Sequence, residues 1–277
     1  MPAIHVLAID IDGSLLDSHG MLPPENREAI RRALAAGVHV ALVTGRAFHF
    51  ARPVAELLDL PVHLIVSNGA LVKALDSTTL MRRLMPADVA RSVLAQTMPW
   101  RTDAALVFDR SGRQVVAGGM DWKHPQRAGY WKRNQAVIDE VFPLEDSLTE
   151  DPIQVMFNGG VERMRALASH LESSVESGGY QFTLTEYAAR DFTMVDVLAS
   201  GVTKGTTLTA WARDRGYGRE SIMAVGDNYN DREMLEAAGT PVVMGNAVAE
   251  LLAAGYYVTD SNDAAGLAKA IARFIPP

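Results

Sequence analysis

The 277-residue chain contains no cysteine, which excludes disulfides, thiolate zinc sites and cysteine nucleophiles. Its seven histidines (5, 19, 39, 49, 63, 124 and 170) are scattered, with no His-Glu-x-x-His pairing. Oxygen atoms therefore remain as the source of metal ligands. No stretch reaches the ~18 consecutive apolar residues of a membrane span. The start, Met1-Pro2-Ala3-Ile4-His5, lacks the basic residues and apolar run of a signal peptide. Lys and Arg never run beyond two in a row, and 26 of them against 33 Asp and Glu leave a formal charge of −7. That balance disfavours nucleic acid or an anionic membrane as partner, while leaving room for an anionic small molecule held by a metal. The expectation is a soluble cytoplasmic protein with no nucleic-acid, membrane or obligate protein partner.

What is present suffices for roughly two domains at ~150 residues each. The opening alternates buried-type strands and helices: a strand over His5 to Ile11, a helix from Pro24 to Ala36 closed by Gly37, a strand over Val38 to Thr44, a helix around Ala51 to Leu58 and a strand over Pro61 to Ser67. Continuous apolar strands of this kind suit a parallel sheet covered on both faces. From about Leu84 the pattern changes to a helix (Ala87 to Met98), paired strand-like runs around the turn Asp109-Arg110-Ser111-Gly112, and an undivided Trp/Tyr-containing segment over Asp121 to Val141. A strand, a helix and two further strands (Tyr180 to Glu186, Phe192 to Val197) follow. Strand–helix alternation resumes at Lys204 and runs to a terminal helix over Asp263 to Phe274. The predicted fold class is α/β: a doubly wound parallel-sheet (Rossmann-like) core formed by 1–83 plus 191–277, with an inserted α/β cap domain, 84–190, hanging from it as a lid.

Two acidic clusters carry the chemistry. In Leu7-Ala8-Ile9-Asp10-Ile11-Asp12-Gly13-Ser14 an apolar strand delivers two carboxylates two residues apart, on one face of a regular strand. At the carboxyl end of a strand in an open α/β sheet they lie where such folds bind ligands. Two carboxylates so close repel unless a cation or proton intervenes, which suits a Mg²⁺ ligand and nucleophile beside a proton carrier. A plain Asp-Gly hairpin is the competing reading, but the proline-led helix that follows supplies no return strand. An EF-hand is excluded by an early glycine and the lack of a closing glutamate. The second cluster, Gly226-Asp227-Asn228-Tyr229-Asn230-Asp231, again follows a short apolar strand. Helix capping accounts for one of its residues, whereas a hard-cation site accounts for all of them. Between the clusters, Thr44-Gly45-Arg46 ends a strand, where a hydroxyl and amides could meet phosphate oxygens or cap the next helix. Lys204 opens a helix in the order Lys-Gly, which is not a Walker A loop.

In order and spacing these four motifs resemble those of the haloacid dehalogenase superfamily, specifically its Cof-type (subclass IIB) phosphatases with a large α/β cap. The one departure is Ser14, where the family more often has threonine. The resemblance implies a phosphomonoester hydrolase in which Asp10 attacks phosphorus to form an aspartyl-phosphate and Asp12 is the general acid and base. It implies Mg²⁺ as cofactor, held by Asp10, the main-chain carbonyl of Asp12, and Asp227, with Asn228, Asn230 and Asp231 in support. Thr44, Gly45 and Lys204 would bind phosphate, and Arg46, Asn68 and Gly69 would lie near the substrate. The implied substrate is a small phosphorylated metabolite: a sugar phosphate first, with pyridoxal phosphate or a flavin precursor as competitors. Lys123, His124, Arg127, Tyr130, Trp131, Lys132 and Arg133 crowd one stretch of the cap, as substrate contacts or as an exposed helix with a partly buried aromatic face. A phosphomutase is the enzymatic alternative, and a phospho-aspartate signalling module the non-enzymatic one. A signalling module has no need of so large an insert.

Overall fold

The computed structural model describes residues 3–173 and 179–276. Its first compact unit comprises Met1–Arg82 and Val202–Pro277, and its second comprises Arg83–Gly201. The first unit opens with β1 (Val6–Ile9), α1 (Pro24–Ala35), β2 (His39–Val43), α2 (Phe48–Leu58) and β3 (His63–Val66). Proline occupies the first turn of α1, where its missing N–H costs nothing. Gly37 follows the helix at φ +84, a left-handed position that suits the residue after a helix end. The next stretch shows no strand pattern in the sequence. It holds β4 (Leu71–Lys73) and β5 (Thr79–Arg82), which add antiparallel to the sheet beyond β3.

The second unit contains α3 (Ala87–Gln96), β6 (Ala104–Val107), β7 (Val115–Ala117), α4 (Pro125–Asn134), β8 (Ile138–Glu140), β9 (Gln154–Gly159), α5 (Val161–Glu172), β10 (Tyr180–Tyr187) and β11 (Phe192–Ala199). These strands form one sheet in the order β10-β11-β9-β6-β7-β8, antiparallel except for β7 beside β8. Alternation along the strands sorts its faces. Val155, Phe157, Val195 and Val197 form a core with Val93, Leu94, Leu167 and Leu171 of α3 and α5. On the other face Arg127 and Tyr130 of α4 bond Asn158 and Met156 of β9. The undivided stretch over Asp121 to Val141 thus resolves into α4 and β8. Because β11 pairs with β9 and β10, the return to the first unit falls at Val202 rather than at 191.

The returning chain forms α6 (Lys204–Arg213), β12 (Ile222–Gly226), α7 (Arg232–Ala237), β13 (Thr240–Val243), α8 (Ala249–Leu252), β14 (Tyr257–Val258) and α9 (Gly266–Phe274). The completed sheet of the first unit runs β14-β13-β12-β1-β2-β3-β4-β5, parallel from β14 through β3. Val6, Ala8, Ala41 and Ala224 pack on one face against Leu208 and Trp211 of α6 and Met234 and Leu235 of α7, while α1 and α9 pack together. From β1 the chain winds outward through β2 and β3, then resumes on the other side of β1 with β12. The strand order reverses between β1 and β12, and the carboxyl edge at such a reversal is the ligand position of a doubly wound sheet. Among the described residues no helix is long and apolar enough to cross a membrane.

Candidate active site

Parallel pairing of Ile9 with Val225 makes Asp10 and Asp227 leave the sheet side by side at that reversal. The Asp10 amide still donates to the Val225 carbonyl at 3.0 Å. Gly13 lets the following loop close over them: its φ is +88, and a Cβ there would stand 2.3 Å from Asp227 Oδ2. The Ser14 hydroxyl then donates to Asp227 Oδ1 at 3.0 Å. Thr203 caps α6 by accepting from the Thr206 amide, so that Lys204 enters the interior from the first helical turn. Its Nζ donates to Asp10 Oδ1 and Asp231 Oδ1, each at 2.6 Å. Asp231 Oδ2 accepts the amides of Asp227 and Asn228 at 2.9 and 3.0 Å. Asp10, Asp227 and Asp231 are buried, and one carboxylate oxygen from each lies within 4.8 Å of the others.

Three negative charges against the one positive charge of Lys204 leave two when all are ionised, and the protein interior screens them poorly. Burial first, and then Asp231 and Asp12 against the opposing pull of Lys204, raises the Asp10 pKa from 3.8 to about 7. Burial, Asp10 and Asp231 likewise push Asp227 well above its ordinary value. Burial alone would lower the Lys204 pKa, but Asp10 and Asp231 outweigh it and hold the ammonium charged. A doubly charged cation with hard oxygen ligands removes the residual charge, so the donor set fits Mg²⁺. Both oxygens of Asp231 are already engaged. Among the described residues Oδ2 of Asp10 and Oδ2 of Asp227 accept no hydrogen bond. These two side chains, rather than Asp231, are the ones open to a cation, and Asp231 orients Lys204 and the Asp227 loop.

Thr44, directly after β2, is buried, and its Oγ1 accepts the Arg46 amide at 3.1 Å. It does not cap α2, whose preceding residue is Ala47. Ser67, Asn68 and Gly69 follow β3 with φ values of +50, +52 and +100, a costly run for two residues that carry a Cβ. The turn is held by Asn68 N–H to Thr44 O (3.1 Å), Asn230 Nδ2 to Asn68 Oδ1 (3.0 Å) and Thr207 Oγ1 to Gly69 O (2.8 Å). It brings Gly45, Asn68 and Asn230 together, since a Cβ on Gly45 would meet both asparagine side chains within 3.4 Å. The Oδ1 of Asn228 accepts the Tyr229 amide at 2.9 Å.

Asp12 does not join the carboxylate cluster. Its two oxygens accept Nη2 and Nε of Arg46 at 2.6 and 2.7 Å, and Arg46 Nη1 donates to the Phe50 carbonyl at 3.3 Å. Arg46, expected near the substrate, is thus bound to the expected proton carrier, and any metal contact of Asp12 rests on its main chain. Sequence reasoning missed Asn26, Asn246 and Asn262, whose carboxamides hold the loop after Asp12. Nothing in their local sequence distinguishes them from ordinary turn residues.

The chain matches the family model of haloacid dehalogenase-like hydrolases over residues 7–271. It is 30% identical over 254 residues to the pyridoxal phosphate phosphatase YbhA of Escherichia coli (87% of this chain, 88% of that protein). It is 28% identical over 280 residues to the 5-amino-6-(5-phospho-D-ribitylamino)uracil phosphatase YwtE of Bacillus subtilis (95% of each chain). In fold it is similar to the solved structure of the subclass IIB sugar phosphatase BT4131, with a TM-score of 0.77 at 22% identity over 97% of this chain and 98% of that one. The chain belongs to the haloacid dehalogenase-like hydrolase family, as an enzyme of its Cof-type phosphatase branch.

Proposed function

We propose that the protein is a Mg²⁺-dependent phosphomonoester hydrolase acting on a small phosphorylated metabolite, a sugar phosphate first, with Asp10 as nucleophile. The observation that carries this reading is the convergence of Asp10 and Asp227 at the reversal of strand order, with Lys204 bridging Asp10 to Asp231. An Asp10 oxygen attacks phosphorus, and the ester bond to the leaving oxygen breaks as Asp12 donates a proton to it. Water then attacks the aspartyl-phosphate, Asp12 takes the water proton, and the bond between Asp10 and phosphorus is cleaved. Asp10, Asp227 and the Asp12 main-chain carbonyl would hold Mg²⁺, which would supply charge neutralisation for the phosphoryl group. Thr44, Gly45 and Lys204 position the phosphoryl group, so most of the rate gain is orientation and fixed charge. Asp12 acts after exchanging Arg46 for the substrate, whose phosphate competes for the same guanidinium. Residues 83–201 are the specificity cap in this reading, with the leaving group set there.

The test is phosphate release across sugar phosphates, a phosphoribityl compound and pyridoxal phosphate, with Asp10→Asn as the blank. That variant should lose about 10³-fold or more in turnover, and chelation should abolish the parent's activity until Mg²⁺ is returned. Undiminished turnover in folded Asp10→Asn or in metal-free protein overturns the assignment. An isomerised product that keeps its phosphate would make the enzyme a mutase.

A further inference from the structure

The loop that follows Asp12 is held chiefly by residues far away in the chain. Within it, the Leu15 and Leu16 amides donate to the Asp10 and Ile11 carbonyls at 3.0 Å. Its own carbonyls are met by three carboxamides: Asn246 Nδ2 on Gly13 O, Asn26 Nδ2 on Leu15 O and Asn262 Nδ2 on Leu16 O, each at 2.9 Å. Two of these side chains are themselves oriented by main-chain amides, Asn246 Oδ1 by Asn262 N–H at 2.9 Å and Asn26 Oδ1 by Ala268 N–H at 3.1 Å. A neutral side chain that donates and accepts at once is what such a bridge requires.

Asn246 differs from the other two in what else its loop holds. Two residues on, the Val248 amide donates to the Asp227 carbonyl at 3.0 Å. The short segment after β13 therefore grips the loop of Asp10 at Gly13 and the loop of Asp227 at its own main chain. Gly13 also lies against the Asp227 carboxylate, where a side chain would have no room, and Ser14 beside it donates to the same group.

We propose that Asn246 is a positioning residue that sets the spacing of Asp10 and Asp227, and through it the affinity of the site for a divalent cation, without touching cation or substrate. This rests on the reading of Asp10 and Asp227 as the cation-binding pair. Asn246 is exposed and its bond to the Gly13 carbonyl lies at the surface, so water can take the place of the lost carboxamide and the variant should fold.

The experiment titrates the full-length protein with Mg²⁺ alone, in the absence of substrate, by calorimetry. The Asn246→Ala variant is compared with the parent. The comparator is Thr259→Val, which removes a bond from Thr259 Oγ1 to Gly266 O in the same C-terminal segment but leaves the bridge intact. Loss of one positioning hydrogen bond should raise the half-saturating Mg²⁺ concentration about 3- to 10-fold in Asn246→Ala, whereas Thr259→Val lowers Tm and leaves that concentration unchanged. Asn246→Leu, which keeps the volume and loses both bonds, should behave like Asn246→Ala. Equal Mg²⁺ affinity in parent and both Asn246 variants overturns the role of Asn246 alone. Failure of the parent itself to bind Mg²⁺ overturns the cation reading beneath it.

Discussion

Asp10 is buried beside two other carboxylates, and its ionisation is held back until about pH 7 by burial before any other cause. A raised pKa in the folded state means that the proton is bound more tightly there than in the unfolded chain, where the ordinary value is 3.8. The resulting stabilisation is fully present below that lower value and is lost as pH rises through about 7. Metal-free parent protein should therefore lose stability between pH 5 and pH 8 relative to Asp10→Asn, which stays neutral throughout. Mg²⁺ should raise the parent's Tm more at pH 8 than at pH 5, because binding competes with protons. Thermal melts of both proteins at the two pH values, with chelator and with Mg²⁺, measure this. A gap in Tm that does not change with pH would remove the buried Asp10 from the account. The same crowding explains Lys204: its ammonium offsets part of the negative charge of three buried carboxylates, two of which, Asp10 and Asp231, in turn hold it protonated and unfit to serve as a base.

The turn between β3 and β4 packs against the residues proposed to position the phosphoryl group. Gly69 has a φ of +100, and a Cβ there would fall 2.3 Å from the Thr203 carbonyl, at the N-terminus of α6. Gly69→Ala should therefore cost about 1–3 kcal/mol in stability and lower turnover by displacing the helix that carries Lys204. Denaturant unfolding and phosphate release together check it, and an alanine variant of parental stability would show that the turn yields without consequence. Much at this scale was legible in the sequence, because strand ends followed by Asp-Gly or Gly-Asp announce themselves locally. Such signals place Asp10 and Asp227, whereas Lys204 is placed only by the family resemblance; the structure brings all three together. The pairing of Asp12 with Arg46 and of Asn246 with Gly13 was not legible, since each partner arrives from a distant segment and no local pattern encodes the meeting. β4 and β5 were missed because they are short, and β5 is mostly exposed and so lacks a clear apolar alternation. β11 was assigned to the core from about 191 because an apolar run reads the same whichever sheet receives it.

Each of the two units has its own sheet and its own buried core, so a single all-or-none transition is not required of the whole chain. Scanning calorimetry should resolve two unfolding events, and Mg²⁺ should shift only the one belonging to the unit that carries Asp10 and Asp227. Movement of both events by the same amount would refute independent melting. The first unit is assembled from two stretches of chain, and its central strand β1 is flanked on one side by β12. A ribosome emits the intervening segment, and with it every strand of the second sheet, before β12 exists. Until β12 has emerged, β1 is an unfinished seam with one side open. A product truncated before β12 thus carries Asp10 without Asp227, so the acidic cluster cannot assemble until the chain has passed through the whole second unit.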